Sequence, residues 1–508
     1  MSSNPIGRPT PSPALQPTLQ PTLQPALPGA AKAAIMAVLT PLTATIRGLA
    51  AAAMVICAVG CNSSRPSAST NVVLISIDSL RADHVGAYGY TRPTTPAIDA
   101  LAAEGLLFAR AYSSSSWTLP AHAALLTGLV DSAHGATSQG KTLRSSASTL
   151  AELLSAAGYA TTGFYSGPFL HPHFGLDQGF ERYIDCSSYG LGSRKLKPLR
   201  AHAASHDDIT NPNILRSLGA ELLRPRRRPF FFFIHMWDVH YDLIPPPPFD
   251  TMFNSDYSGS FPAYHFRHER GFRKGMDQAD YAQVLALYDG EIRSTDTTIA
   301  AILDKLRKRS LLEDTLVVIT ADHGEEFLEH DGKGHRRTLF EEVTRIPLLM
   351  WMPAKLGPGR VEEPVALIDV APTILDILGL QAPPEMMGRS LVALAHGQRG
   401  AEPYPVLSEL FTPTKTPALS ALVLGPDKLI VDHRSDSATY YDLSTDPHEL
   451  HPRSAPSEPR ARALAVAMQR IKTRAQAIAR KHQGLDREAG AILPKPISDQ
   501  LRSLGYLQ

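Results

Sequence analysis

The run NVVLISI at residues 71–77 constrains this chain more than any other stretch. It is apolar and largely β-branched from end to end, with no polar face. That is the pattern of a strand buried on both sides in a parallel sheet. PFFFFIH at 229–235 and TLVVIT at 315–320 repeat the pattern, and GYATTGF at 158–164 reads as a further strand. Helical periodicity over 97–104, 150–157 and 281–307 separates these runs. Strands alternating with helices predict an α/β domain around a mainly parallel sheet flanked by helices. From about residue 400 the pattern shifts to short runs, 406–410, 420–424, 428–431 and 439–442, divided by turn residues. These predict a small C-terminal antiparallel subdomain, followed by an amphipathic helix over 457–481.

The expected division is therefore 1–60 extension and signal, 61–70 linker, 71–395 α/β domain, 396–485 small sheet and helix, and 486–508 tail. Residues 186–228, ending in the basic run Arg224–Arg228, read as a surface insertion. At 508 residues with 43% hydrophobic content the chain is long enough for a large core. A net charge of +1 gives no reason to expect a nucleic-acid partner. Three cysteines exclude a disulfide framework.

Residues 15–27 form a low-complexity repeat, LQPTLQPTLQPAL. Arg47 then precedes the apolar run GLAAAAMVICAVG, which ends at Cys61 and a polar segment. A basic residue, a short apolar stretch and small residues before a cleavage point form a secretory signal, too short to span a membrane as a helix. The Ala58-Val59-Gly60-Cys61 ending resembles a bacterial lipobox. The expectation is export to the bacterial cell envelope, as a periplasmic or outer-membrane lipoprotein anchored only through lipid on Cys61. Its depth in the chain is compatible with translation beginning at Met36.

In α/β sheets ligands bind beyond the carboxyl ends of the strands. The first run ends at Asp78, the second is followed by Asp238 and His240, and the third by Asp322 and His323. One such Asp also suits a helix N-cap. Carboxylates and an imidazole arriving from different strands suit a divalent cation better, since bare carboxylates repel. In WTLPAHAALLTG (117–128), Pro120 fits a helix first turn and Gly128 its end. Thr118 would then sit just before the helix, as an N-cap or as a hydroxyl facing an anion site.

Several segments in order resemble the sulfatases of the alkaline phosphatase superfamily. They are LISIDSLRADHVGAYGYTRPTTPAIDALAAEG, WTLPAHAALLTG, ADHGE at 321–325, FEEVTRIPLLMWMP at 340–353, LIDVAPTILDILGL with GRSL at 388–391, and YYDLSTDP at 440–447. The resemblance implies that family's mixed sheet and a metal-dependent hydrolase of sulfate or phosphate esters. It places Asp78, Asp322 and His323, with Thr118, at the metal. Thr118 takes the nucleophile position and His240 the leaving-group acid. Lys333 or His335 takes a further substrate position, His335 being also a candidate acid.

The departures also matter. The box reads Thr118-Leu-Pro-Ala-His122 where the family has Cys or Ser and Arg, so no formylglycine is expected: oxidised threonine would be a ketone. His122 and Tyr165 become candidate substrate contacts in place of the missing clamps, and Ser79 stands where a second acidic ligand is usual. His323 favours zinc or manganese over calcium for the one divalent ion. The substrate is expected to be a small-molecule, glycan or lipid-headgroup ester. A phosphoglycerol-type transferase, a phosphodiester or phosphonate hydrolase, and a non-catalytic binding relative are the other readings.

Overall fold

The structure, a computed structural model, describes residues 70–187, 210–398, 400, 403–411, 417–482 and 495–503. All fall within one compact unit, Pro66–Gln508. The expected signal and Cys61 lie outside the described residues.

The main sheet has eight strands: β1 Asn71–Ile77, β2 Leu106–Phe108, β3 Ala160–Tyr165, β4 Arg182–Asp185, β5 Phe230–Met236, β6 Thr315–Ala321, β7 Leu348–Trp351 and β8 Gly359–Val361. Their order is β8-β2-β7-β6-β1-β5-β3-β4. β1 pairs in parallel with β5 and β6, and β3 in parallel with β4 and β5, while β7 runs antiparallel to both neighbours. Each residue of β1, β5 and β6 is buried, as expected of strands covered on both faces. The register sets Ser76 beside His235 on one side and Thr320 on the other. One polar row thus crosses all three strands, two residues short of Asp78 and Asp322.

The described helices include α1 Pro96–Glu104, α2 Thr118–Thr127, α3 Leu150–Ala156, α4 Thr210–Leu222, α5 Gln278–Arg307, α6 Val370–Ile377, α7 Pro459–His482 and α8 Lys495–Ser503. Local chemistry starts and stops them. Thr149 and Glu152 form a capping box on α3, Asp277 caps α5, and Gly128 ends α2 at φ 65°. A second sheet, β9 Val406–Phe411, β10 Pro417–Leu424, β11 Asp427–Asp432, β12 Ser437–Asp442 and β13 Arg453–Ser454, is an antiparallel meander in chain order.

Two expectations change. The second half of the supposed surface insertion is α4, which buries Ile214 and Leu218. The tail contains α8, whose Leu501 is fully buried. The first strand of the small sheet is also tied to the main domain. Glu409 N–H donates to Ser114 O (2.7 Å), Ser408 Oγ to Ser113 O (2.6 Å), and Ser115 Oγ to Glu409 O (2.8 Å). These bonds pin the segment that leads into α2. Among the described residues no helix is long and apolar enough to cross a membrane.

Candidate active site

Asp78 leaves β1, and Asp322 and His323 leave β6, at the carboxyl edge of the sheet. The three form a fully buried group whose ligand atoms lie within 4.8 Å of one another. Ser79 follows with φ 56°, a left-handed conformation uncommon outside glycine. That turn lets its N–H donate to Asp322 Oδ1 (3.1 Å) and its Oγ to Asp78 Oδ1 (2.9 Å). His323 Nδ1–H donates to Gly324 O (2.8 Å), so Nε2 faces Asp322 Oδ2 at 3.3 Å and Asp78 Oδ1 at 3.6 Å. Asp322 Oδ2 is buried with no hydrogen bond.

Thr118 is the first residue of α2, with Trp117 as N-cap, so the helix starts one residue earlier than expected. Its Oγ1 lies 3.4 Å from Asp78 Oδ2 and 3.5 Å from His323 Nε2. The hydroxyl therefore abuts the carboxylate–imidazole group. Beyond it the imidazoles run in series: His335 lies 4.4 Å from His323 and His240 lies 5.2 Å from His335, ring centre to ring centre. His335 Nδ1 meets buried Glu325 Oε2 at 3.1 Å.

Burial and the Asp78 charge push the Asp322 carboxyl well above its usual range. Burial also raises Asp78, but His240, His235 and His323 outweigh it and hold that carboxyl low. Burial lowers His323, and burial followed by His323 and His240 lowers His335. Buried carboxyl groups facing imidazole lone pairs are a donor set that could hold a divalent cation.

The remaining expected residues are placed differently. His122 is fully buried beneath Thr118, with Nδ1 2.8 Å from the Thr118 carbonyl and Nε2 2.9 Å from Ser76 Oγ. Burial, then His235, pushes its pKa down to about 3. It supports the helix turn and does not face substrate. Lys333 Nζ donates to the carbonyls of Phe266 and Glu269, so of the two alternatives His335 faces the site. Tyr165 is buried in a stack with Tyr183 at 4.5 Å. Asp238 receives a hydrogen bond from Thr210 and belongs to neither metal-type group.

Two residues were missed. His235 is a buried imidazole inside β5, grouped with His122 and Asp322. The only sequence signal was one polar residue interrupting an apolar strand. Arg336, at φ 69°, donates its N–H to Ser116 O (3.0 Å) and lays its guanidinium 4.3 Å over Trp117, beside Thr118. Its neighbours in sequence, Lys333 and His335, had drawn the attention.

A mixed sheet with carboxylates, imidazoles and a hydroxyl gathered at its carboxyl edge defines a hydrolase of the alkaline phosphatase superfamily. The chain belongs to the sulfatase family: the family described as Sulfatase matches residues 70–380, and that described as N-sulphoglucosamine sulphohydrolase, C-terminal, matches 329–473. It is a hydrolase acting on sulfuric esters. Arylsulfatase K of Mus musculus is 26% identical over 422 residues, covering 75% of each chain. A protein solved with its substrate D-glucosamine-2-N,6-O-disulfate aligns with TM-score 0.66 and 19% identity, over 80% of this chain and 98% of that one. The phosphonate monoester hydrolase of Silicibacter pomeroyi aligns with TM-score 0.63 and 21% identity, over 80% and 96%.

Proposed function

We propose that this hydrolase cleaves its ester by in-line attack of Thr118 Oγ1, beside one divalent cation held by Asp78, Asp322 and His323. The observation that carries this is the position of Oγ1, 3.4 Å from Asp78 Oδ2 and 3.5 Å from His323 Nε2. The orphaned Asp322 Oδ2 and the mixed oxygen–nitrogen donors fit such an ion. When bound, the cation would favour the alkoxide and offset negative charge on the ester oxygens.

The chain's own residues do the rest. First-turn amides of α2 face the anion. Arg336 supplies the positive charge that His122 does not. His240 or His335 takes up the proton that Thr118 releases and passes it to the leaving oxygen. A Thr118 ester is then released to water or an acceptor alcohol. Glycan sulfates are the first substrates to test, given the relative solved with a glucosamine disulfate. Thr118 offers no aldehyde, so phosphate and phosphonate esters belong in the same panel.

Rapid-quench labelling with a slow substrate, followed by peptide mapping, should find the adduct on Thr118. Thr118→Val should keep the fold and lose on the order of 10³-fold or more in kcat. Thr118→Ser should retain measurable turnover. Near wild-type rates in Thr118→Val would end the covalent reading. The same proposal includes export: Arg47 and the apolar run ending at Cys61 support a lipidated N-terminus at Cys61. Mass spectrometry finding an unmodified N-terminus upstream would reject that part.

A further inference from the structure

The solvent face of α7 carries positive charge alone. No Asp or Glu occurs in its 24 residues, although the whole chain balances 50 basic residues against 49 acidic ones. The excess is therefore local to this helix. Leu464, Met468 and Ala475 are buried where α7 packs on the short helix Asp131–His134 and on β10 and β11. Arg462, Arg470, Arg474, Arg480 and Lys481 lie on the outer side, all exposed. Val466, Thr473 and Ala477 stand between them, so nothing acidic or aromatic interrupts the row.

Ordinary reasons for surface charge do not cover all of it. Cations in the last turn of a helix suit its macrodipole, which accounts for Arg480 and Lys481. The same dipole disfavours Arg462 near the amino end. Arg470 and Arg474, four residues apart, repel each other. Other cations of α7 are committed within the fold. Arg460 meets Asp427 at 3.2 Å, and Lys472 Nζ donates to Ser420 Oγ at 2.7 Å. Arg474 Nη2 donates to Met386 O at 2.7 Å. Arg462, Arg470, Arg480 and Lys481 make no ion pair or hydrogen bond with a described residue. The basic run at 224–228 is different, since Arg224 meets Glu221 at 3.2 Å and Arg228 meets Glu181 at 2.9 Å. One run is neutralised from within; the other is not.

Length and chemistry select the occupant. From Arg462 to Arg480 the row extends about 27 Å at 1.5 Å per residue, so only an extended polyanion reaches both ends. A helix that settles into a membrane sets Trp, Phe or Leu beside its cations, and this face offers only Val466. All of the exposed cations except Lys481 are arginines, whose planar fork grips an oxyanion through two oxygens at once. The domain itself hydrolyses sulfuric esters.

We propose that this face of α7 docks a sulfated polysaccharide, holding polymeric substrate on the domain that cleaves it. The proposal rests on the reading of glycan sulfates as substrates. Docking adds no chemistry; it raises the effective concentration of sulfate esters near the site. KM for a polymer should therefore depend on α7, and KM for a small ester should not.

The test uses the whole purified protein, with heparin, chemically desulfated heparin and hyaluronan as binding probes. Arg462→Gln, Arg470→Gln, Arg480→Gln and Lys481→Gln are combined in one variant, because glutamine keeps helix propensity and length. Its circular dichroism should match wild type, and it should melt at the same temperature or slightly higher as like charges are removed. Its affinity for heparin should fall at least ~10-fold in about 0.1 M salt, with a shallower dependence on salt. Desulfated heparin and hyaluronan should bind wild type weakly. Arg224→Gln combined with Arg228→Gln should bind heparin as wild type does. For a sulfated polymer that wild type desulfates, KM should rise in the α7 variant with kcat unchanged. Turnover of a small aryl sulfate should be the same in both proteins.

Thr118→Val should still bind heparin like wild type, because docking needs no attack. If wild type desulfates no glycan while heparin binding still depends on α7, the substrate reading fails and the docking face stands. Heparin affinity unchanged in the α7 variant overturns the proposal. An equal loss in the 224/228 variant also overturns it, since binding would then follow net charge alone. Loss of binding to vesicles of phosphatidylglycerol and phosphatidylcholine, with heparin binding intact, would assign the face to a membrane instead.

Discussion

In the small C-terminal sheet, Lys428 Nζ lies 2.9 Å from Glu449 Oε1 and 3.1 Å from Glu341 Oε1, with Lys428 and Glu449 buried. At the edge of the main sheet Asp78, Asp322 and Glu325 are equally buried, but they face imidazoles instead of a lysine. Both regions concentrate acid inside the protein. In the first, the chain supplies its own cation, and the cluster needs nothing further. In the second, three histidine ring nitrogens donate to backbone carbonyls: His235 to Ser166, His323 to Gly324 and His240 to Tyr241. That fixes their tautomers, and for His323 and His235 it turns the lone pair toward the carboxylates. A cluster closed from within serves the fold; one lined by oriented lone pairs suits the cation proposed above.

The two clusters should respond to substitution in opposite ways. The largest effect is expected at Asp322. Asp322→Asn should lose bound metal and at least ~10³-fold in kcat/KM, since ligand and activity go together. Measured in chelator, however, it should melt at or above the wild-type temperature, because a carboxylate repelled by Asp78 has been removed. Metal analysis and calorimetry on the same sample check both halves. A variant that melts well below stripped wild type would show that Asp322 is structural.

Lys428→Met should do the reverse. Removing the one lysine leaves Glu449 and Glu341 without their counter-charge, a loss of about 3–5 kcal/mol for a broken buried pair. Burial already pushes the Glu449 carboxyl up to about 7 even with Lys428 nearby. Denaturant unfolding should show the loss while the folded variant still binds metal stoichiometrically. Loss of metal at unchanged stability would dissolve the distinction between the regions.

The contrast also explains what could be read in advance. Strands β1, β5 and β6 were legible because a predominantly apolar run is a local signal, and Asp78, Asp322 and His323 because they follow those runs. Thr118 was legible through its Pro-started helix and the family resemblance. His235 was not, because a residue inside a strand acquires meaning only through register, here beside Ser76 and under α2. Lys428 was read as part of a short strand, and nothing local distinguishes it from a surface lysine. Its partners lie at Glu341 and Glu449, and only the fold brings them together. Lys333 was misjudged for the same reason, since the carbonyls that hold it belong to the segment around Phe266 and Glu269.

The smallest effect tests the seam beside the lysine cluster. His330 Nδ1 lies 2.7 Å from Glu342 Oε1 and Nε2 lies 3.1 Å from Glu449 O, so both nitrogens face acceptors. The ring also stacks on Phe340 at 3.6 Å. Burial would lower the imidazole pKa, but the Glu342 hydrogen bond and charge, with Glu449, outweigh it and raise it to about 9. A group raised in the folded state contributes fully below its unfolded value, roughly 6.5, and loses that contribution as pH rises through the folded value. Wild-type stability should therefore fall between about pH 6.5 and 9 from this residue. The imidazole is 12% exposed at a seam open to solvent, and its contribution should be on the order of 1 kcal/mol, about 2 °C in melting temperature. His330→Gln keeps a donor for Glu342 but cannot titrate, so its melting temperature should decline less across that window, with metal content unchanged. Melting curves for both proteins at half-unit pH steps decide it. Parallel declines would mean that the imidazolium adds nothing to the seam, and that Lys428 alone balances the acids there.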